Sequence, residues 1–572
     1  MSKKPIKINY QKLFFIFLIV VIGGAYSHVR CQSANVPLNR DYYHLLDRFE
    51  VLSGHQSEFF FSGLKPYRRD AVGKFIDQVY NDSLSLTKVD QFNLQYLAID
   101  NWSFTDSVQS NSNKPFLKLF YHKKNDFLAI NTEDFEMHLN PVFHFSGGIE
   151  TNNDVTPYIN TRGLEISGMI AGKIGYYTYM TTTQAAFPSY VRLWIDRNRS
   201  VPQEGYWKIF NTDGVDFFTP RGYISFNIVK PLNLQFGHDK LYLGNGIRSM
   251  ALSDFSNNYL FLKLDLKVWK LKYRFVVAQH NVDTLDVRSG TGSINGPYPR
   301  KYLAYHHISL NIGKNLNIGI FEHIVQGDST SNAFDLNYLN PVIFFRGLEH
   351  QSGSKDNALL GFDIKYNFLR RFSIYGQLLL DEFLLDEVRS GDGWWANKWG
   401  TQIGLKYFNA FWTDNLDLNL EYNVSRPYLY GHQSTYTNLA NYRMPLAHPT
   451  GANFKEFIAV ARYQPFKRFS FIAKLVISDY GEDEENTNWG KDVMKSYSTR
   501  EQEYGNSIGQ GLATKLNYFN FTTTYQFKHN VFVDLDFVTH NVNSELPLVN
   551  KDVFYAGIHF RWNIPRREFD FN

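Results

Sequence analysis

Several residue groups in this 572-residue chain could in principle do chemistry. Asp381-Glu382 is an acidic pair of the type that glycosidases use. A dyad needs both carboxylates across one cleft, whereas strand alternation sends neighbours to opposite faces, so the pair reads as rim hydrogen bonding. His306-His307 and His323 read as rim or lumen residues and not as metal ligands. Ser289-Gly290-Thr291-Gly292-Ser293 resembles a phosphate cradle but sits in a polar loop with no following helix. No nucleophile elbow, zinc helix or phosphate loop occurs, so neither an enzyme nor a cofactor is expected.

Aromatic clusters in long loops carry more information. Arg192, Trp194 and Trp207 fall within 185–220, Trp394 and Trp395 within 391–399, and Tyr428, Tyr430 and His432 within 426–453. Aromatic faces stack on the C–H faces of sugars, and arginine pairs bidentately with carboxylates such as those of uronic acids. These residues are therefore candidate polysaccharide contacts. The competing reading is that long loops pack on themselves through the same aromatics.

A rhythm running from about residue 134 to the C-terminus must position these loops. Segments of about ten residues alternate between apolar and polar side chains. Leu260, Leu262, Leu264 and Leu266 oppose Lys263, Asp265 and Lys267, and Leu360, Phe362, Ile364 and Tyr366 oppose Asp363, Lys365 and Asn367. Short joins such as Ala171-Gly172-Lys173, Lys230-Pro231 and Trp269-Lys270 take turns with mostly longer connections. Tight turns at one end and long loops at the other characterise outer-membrane β-barrels. Lipid outside and a polar interior account for the two faces, and backbone that cannot face hydrocarbon unpaired must close into a ring. The expected fold is an all-β transmembrane barrel of roughly 18 antiparallel strands over 126–572. With short turns in the periplasm, both termini lie there too. Past Ile564 the chain continues, so the aromatic insertion signal of the last strand is either Trp562 or Phe571.

Residues 32–125 read as a small α-helical region. Tyr42, Leu45, Leu46 and Phe49 share one helical face, a second helix opening near Ser62 to Pro66 carries Val72, Phe75, Ile76 and Val79, and a third runs from Thr87 to Ile99. Such a region either plugs the lumen or hangs in the periplasm. The apolar run Leu13 to Ala25 is too short to span a membrane. After Lys3, Lys4, Lys7 and Lys12 it reads as the core of a signal peptide covering 1–31. Cys31 is the only cysteine, and Arg30 stands where a lipoprotein needs a small residue. Removing those four lysines and Arg30 from the 59 basic residues leaves 54 against 55 acidic ones, a net of −1, which gives no reason to expect nucleic acid. The mean hydropathy of −0.34 is too polar for a helical membrane bundle.

Gly237-His238-Asp239-Lys240, continuing through Gly244, Gly246 and Ser249 to Leu252-Ser253-Asp254, resembles the motif of the Wzi capsule-assembly family. Leu243 and Asn245 replace that motif's usual tryptophan and proline. Asp356 to Gly361, Tyr375 to Phe383 (containing Asp381 and Glu382), Arg426-Pro427-Tyr428 and Leu446 to Pro449 look more like the family's Bacteroidetes branch, which includes the gliding-motility RemB-like group. The resemblance implies a barrel of about 18 strands with a helical N-terminal region. Its implied role is non-enzymatic binding or organisation of surface polysaccharide, with outer-membrane lipid, lipopolysaccharide and the barrel-assembly machinery as further partners. The alternative function is a porin or transport channel with an open lumen. A hydrolase would need a clustered nucleophile and base.

Overall fold

The computed structural model describes residues 33–82, 84–282, 298–330, 332–342, 344–352 and 355–571. Residues 1–31, read above as a signal peptide, and the glycine-rich stretch at 289–293 lie outside them. Eighteen antiparallel strands close into one barrel. They are β1 (Phe135–Glu150), β2 (Tyr158–Ile170), β3 (Ile174–Ala186), β4 (Gly214–Val229), β5 (Leu232–Asp239), β6 (Tyr259–Val268), β7 (Leu271–Asn281), β8 (Arg300–Ile312) and β9 (Leu316–Gln326). The ring continues with β10 (Asn357–Phe368), β11 (Phe372–Leu380), β12 (Trp399–Tyr407), β13 (Leu416–Ser425), β14 (Phe454–Phe466), β15 (Phe469–Glu482), β16 (Leu512–Lys528), β17 (Val531–Ser544) and β18 (Lys551–Trp562), which pairs back onto β1.

The period-2 pattern explains the wall. Lys263, Asp265, Asp363, Lys365 and Asn367 are buried in the interior, while Leu360, Phe362, Ile320 and Ile403 are exposed on the outside. Inside, a salt bridge of 2.8 Å from Arg274 Nε to Asp265 Oδ1 shows how the lumen tolerates charge, by pairing. The expected alternation of joins is present, with two exceptions at the long-loop end: 151–157 and 545–550 are also brief.

Three helices sit at the short-turn end: α1 (Arg40–Ser53), α2 (Arg69–Asn81) and α3 (Lys88–Asp100). Asn39 caps α1 by accepting from the N–H groups of Asp41 and Tyr42, and Thr87 with Asp90 forms a capping box on α3. Leu46, Phe49, Val72, Phe75, Ile76, Leu94 and Leu97 make their shared core. The bundle is bolted to the wall near its short turns. Arg48 pairs with Asp417, Asp47 takes Lys365 at 3.3 Å and Lys406 at 2.6 Å, and Arg462 reaches Asp41 at 2.5 Å. Of the two placements open from the sequence, the helices occupy the barrel mouth. Helix α2 begins at Arg69 and not near Pro66. Leu64 and Lys65 are drawn instead into a two-residue ladder with Leu243 and Tyr242, deep in the lumen.

After β18 the chain turns inward and climbs the lumen. Glu568 lies 2.8 Å from both Arg40 and Lys474, and Asp570 pairs with Arg248 at 2.9 Å. Phe571 is buried against Trp194 and Phe255, and its carbonyl accepts from His540. Of the two candidate insertion signals, Phe571 is thus an interior residue, while Trp562 closes β18.

Candidate functional site

The long-loop end is knitted from the connections 381–398, 426–453 and 483–511. Asp381 and Lys398 close the base of the first, through Asp381 N–H to Lys398 C=O at 3.0 Å. Lys398 Nζ then lies 2.9 Å from Asp381 Oδ1 and 3.5 Å from Glu382 Oε1, and donates to Gly431 C=O at 3.2 Å. Both acidic residues lie beyond the end of β11, so alternation does not separate them as expected. One lysine holds both. Tyr430 N–H also donates to Asp381 at 3.2 Å. Burial pushes the Asp381 carboxyl up to about 6, against the pull of the Lys398 charge. Burial, followed by the Lys398 charge, lowers His432 to about 3, so its imidazole is neutral at physiological pH.

On this base stands an aromatic shelf. Trp394 and Trp395 lie edge to face at 6.2 Å, and both are half-buried. Trp395 packs against Tyr497 at 4.8 Å and against the Tyr428 edge at 6.2 Å, and the Arg500 guanidinium covers its ring at 4.3 Å. His432 stands edge-on to Tyr497 at 5.2 Å. Backbone bonds lock the arrangement: Trp395 N–H to Glu503 C=O at 2.9 Å, Asn506 N–H to Gly393 C=O at 2.9 Å, and Tyr428 N–H to Gly490 C=O at 2.8 Å. Arg426 fastens the underside, donating to the carbonyls of Trp394 and Asn506. A rigid, partly exposed aromatic face of this sort offers apolar contact at little conformational cost.

The structure thus brings Trp394, Trp395, Tyr428, Tyr430, His432, Asp381 and Glu382 together, with unequal exposure. Tyr428, Tyr430 and His432 are buried and support the shelf from beneath. Expected among exposed loop residues, they lie instead below the surface that Trp394 and Trp395 present. Trp194 is buried as well. It lies on α4 (Ser189–Asn198), 8% exposed, wedged against Phe255 and Phe571. Trp207 packs on the same core. Arg192, on the outer side of α4, is engaged by Asp196 at 3.1 Å and by Asp213 C=O at 2.6 Å. Tyr497, Arg500 and Lys398 complete the shelf and were missed, because a lone tyrosine and arginine in a polar loop carry no pattern.

The glycine-rich motif does a different job. From Asp239 the chain dips into the lumen instead of arching outward. Lys240 Nζ donates to Gln203 C=O at 2.7 Å and Asp254 C=O at 3.1 Å, and burial pulls its ammonium down to about 8. Asp239 caps the Lys240 N–H at 2.8 Å. Gly244 adopts φ 137°, a conformation only glycine holds comfortably. A Cβ on Gly246 would lie 2.5 Å from the Glu421 carboxylate, which accepts from the N–H groups of Ile247 and Arg248. Ser249 Oγ bonds to Leu243 C=O at 2.5 Å and Gln377 at 3.3 Å. A Cβ on Gly237 would meet the Tyr223 Cβ at 2.2 Å. The motif is therefore the hardware of an inward constriction. No cluster of three or more metal-ligating side chains occurs among the described residues.

An eighteen-strand barrel whose lumen holds helices, an inward loop and its own C-terminal tail, with an aromatic shelf at its long-loop end, defines an occluded membrane barrel. Residues 134–546 match the capsule assembly protein Wzi family, and the chain belongs to that family. The solved structure of Wzi from Escherichia coli, described as an outer membrane protein involved in group 1 capsule assembly and a carbohydrate-binding β-barrel, superposes over 93% of this chain and 100% of its own. The TM-score is 0.56 and the identity 13%. OprD from Pseudomonas aeruginosa aligns over 74% of this chain and 94% of its own, with a TM-score of 0.41 and 9% identity. No curated protein matches the chain in sequence.

Proposed function

We propose that this protein is a non-enzymatic outer-membrane barrel that binds or organises surface polysaccharide at its long-loop end. The observation that carries this reading is the half-exposed Trp394–Trp395–Tyr497 shelf, fixed by three interlocked loops above a filled lumen. The solved Wzi barrel, described as carbohydrate-binding, supports it by family membership. The cations at the shelf already have carboxylate partners, Arg500 with Glu503 and Lys398 with Asp381 and Glu382. That pairing favours stacking on uncharged sugar faces over capture of uronates. A porin would need an unobstructed lumen, and here α1, the 240–258 loop and the 563–571 tail cross it. Asp381, held by Lys398 and the Tyr430 N–H, has no partner arranged as a nucleophile.

In this reading residues 1–31 direct export, the short turns and the start of the mature chain face the periplasm, and the shelf faces the cell exterior; the C-terminal end, expected in the periplasm, instead lies inside the lumen, where Phe571 packs on Trp194 and Phe255. The wall contacts outer-membrane lipid and lipopolysaccharide after insertion by the barrel-assembly machinery. The narrower link to gliding motility rests on the sequence segments that resemble the Bacteroidetes branch. The test is cell-bound polysaccharide in a strain carrying Trp394→Ala/Trp395→Ala at normal barrel levels. Polysaccharide should shift from the cell-bound to the secreted fraction. Unchanged retention, in that strain and in a deletion strain, refutes the proposal.

A further inference from the structure

The connection from β9 to β10 leaves the barrel's open end and folds down the outside of the wall. On β9, Ile320 is exposed, and Glu322 and Ile324 share its outward face by strand alternation. Both are nevertheless fully covered. On β8, Ile308 is exposed while His306 and Ala304, on the same face, are buried. The cover is α5 (Phe345–Ser352) with the turn before it. The Phe345 ring stacks on His306 at 4.5 Å and 8°, and Tyr338 and Phe345 join Phe275, Ala304, Ile324 and Ala358 in one apolar cluster. The Glu322 carboxylate accepts the backbone N–H groups of Phe345 at 2.8 Å and Arg346 at 2.7 Å, and His306 Nε2 lies 3.0 Å from it.

An outward-facing carboxylate on a membrane barrel is costly where hydrocarbon touches it. Glu322 lies six residues along β9 from its short turn. At about 3.3 Å per residue and a tilt of about 40°, that is roughly 15 Å up a hydrophobic band roughly 25 Å tall. The covering segment satisfies the carboxylate and turns apolar side chains outward in its place. Leu336 is 72%, Val342 85% and Phe344 68% exposed. These continue the lipid-facing surface of Ile308, Ile320 and Leu360.

We propose that this segment is a membrane-embedded strap whose Leu336–Val342–Phe344 face takes lipid acyl chains while its inner face seals the His306–Glu322 pair from hydrocarbon. The strap is independent of the polysaccharide reading. The test uses the full chain with Cys31→Ser, reconstituted in phosphatidylcholine vesicles, with single nitroxide labels on Leu336→Cys or Val342→Cys. Ile320→Cys marks the lipid band and Ser498→Cys the aqueous loops. Relaxation of both strap labels by oxygen, as at Ile320, with little effect from a water-soluble nickel chelate, is the expected result. Chelate-dominated relaxation as at Ser498 overturns the proposal. So does an immobilised label shielded from both agents, which would mean that protein covers the face.

Discussion

Arg248 is the point where the inward loop, the wall and the C-terminal tail meet, and replacing it tests whether the lumen is filled cooperatively. Its guanidinium is 2% exposed and lies between Glu456 at 3.3 Å and Asp570 at 2.9 Å. The two carboxylates are 1% and 4% exposed, so solvent screening is negligible. One nitrogen also donates to Asp570 C=O at 2.6 Å. Arg248→Met keeps the length and removes the charge. It leaves Glu456 with His448 at 2.9 Å and Asp570 with Lys474. Removing one partner of a buried ion pair costs roughly 3–5 kcal/mol. The lower figure is about a hundred-fold in the population of any state that releases the tail. The tail carries its own reporter, because trypsin cuts after Arg566 or Arg567 only when the tail leaves the lumen. When opening is fast relative to cleavage, the rate tracks that open population, so cleavage should accelerate about a hundred-fold. Cleavage within a few-fold of the parent rate would show that Arg248 does not hold the tail and would refute this account of lumen closure.

Gly244→Ala meets both a positive φ and the Gln377 side-chain amide at 2.8 Å, so it should cost about 1 kcal/mol or more, read as a lowered melting temperature in detergent. Burial draws the Lys65 ammonium down from 10.5 to about 7. Between these values the unfolded chain holds more protons than the folded one, so stability from this group rises with pH through that window. Lys65→Met should flatten the rise in a pH series of melting curves. In planar bilayers the full chain should show no sustained steps of the size an open eighteen-strand pore gives, and such steps would contradict a filled lumen. Trp394→Ala/Trp395→Ala should weaken polysaccharide retention while leaving the barrel itself folded, since neither ring belongs to the wall, and outer-membrane levels of the full chain equal to the parent's check this.

The wall was legible because one rule repeats at every residue. Lys263 and Asp265 point into the lumen and Leu264 out of it, so the period alone separates the faces. The shelf was legible in part. Dense aromatics marked Trp394 and Trp395 correctly as loop residues, but Trp194 and Tyr430 share that composition and are buried, because aromatic enrichment serves loop packing as readily as ligand contact. The Asp381–Glu382 pair was misread where regular alternation stops at Leu380. Lys398 joins the two carboxylates only because the loop closes on itself.

Local chain chemistry by itself determined the strands, their two faces, the tight turns and the three amphipathic helices, since each depends on neighbours a few residues apart. The tertiary fold alone decided what fills the barrel and what lies on it. That Arg248 meets Asp570 across 322 positions, that Leu64 pairs with Leu243, and that Phe345 stacks on His306 outside the wall all follow from ring closure, which brings distant segments to one place and gives a buried charge its partner.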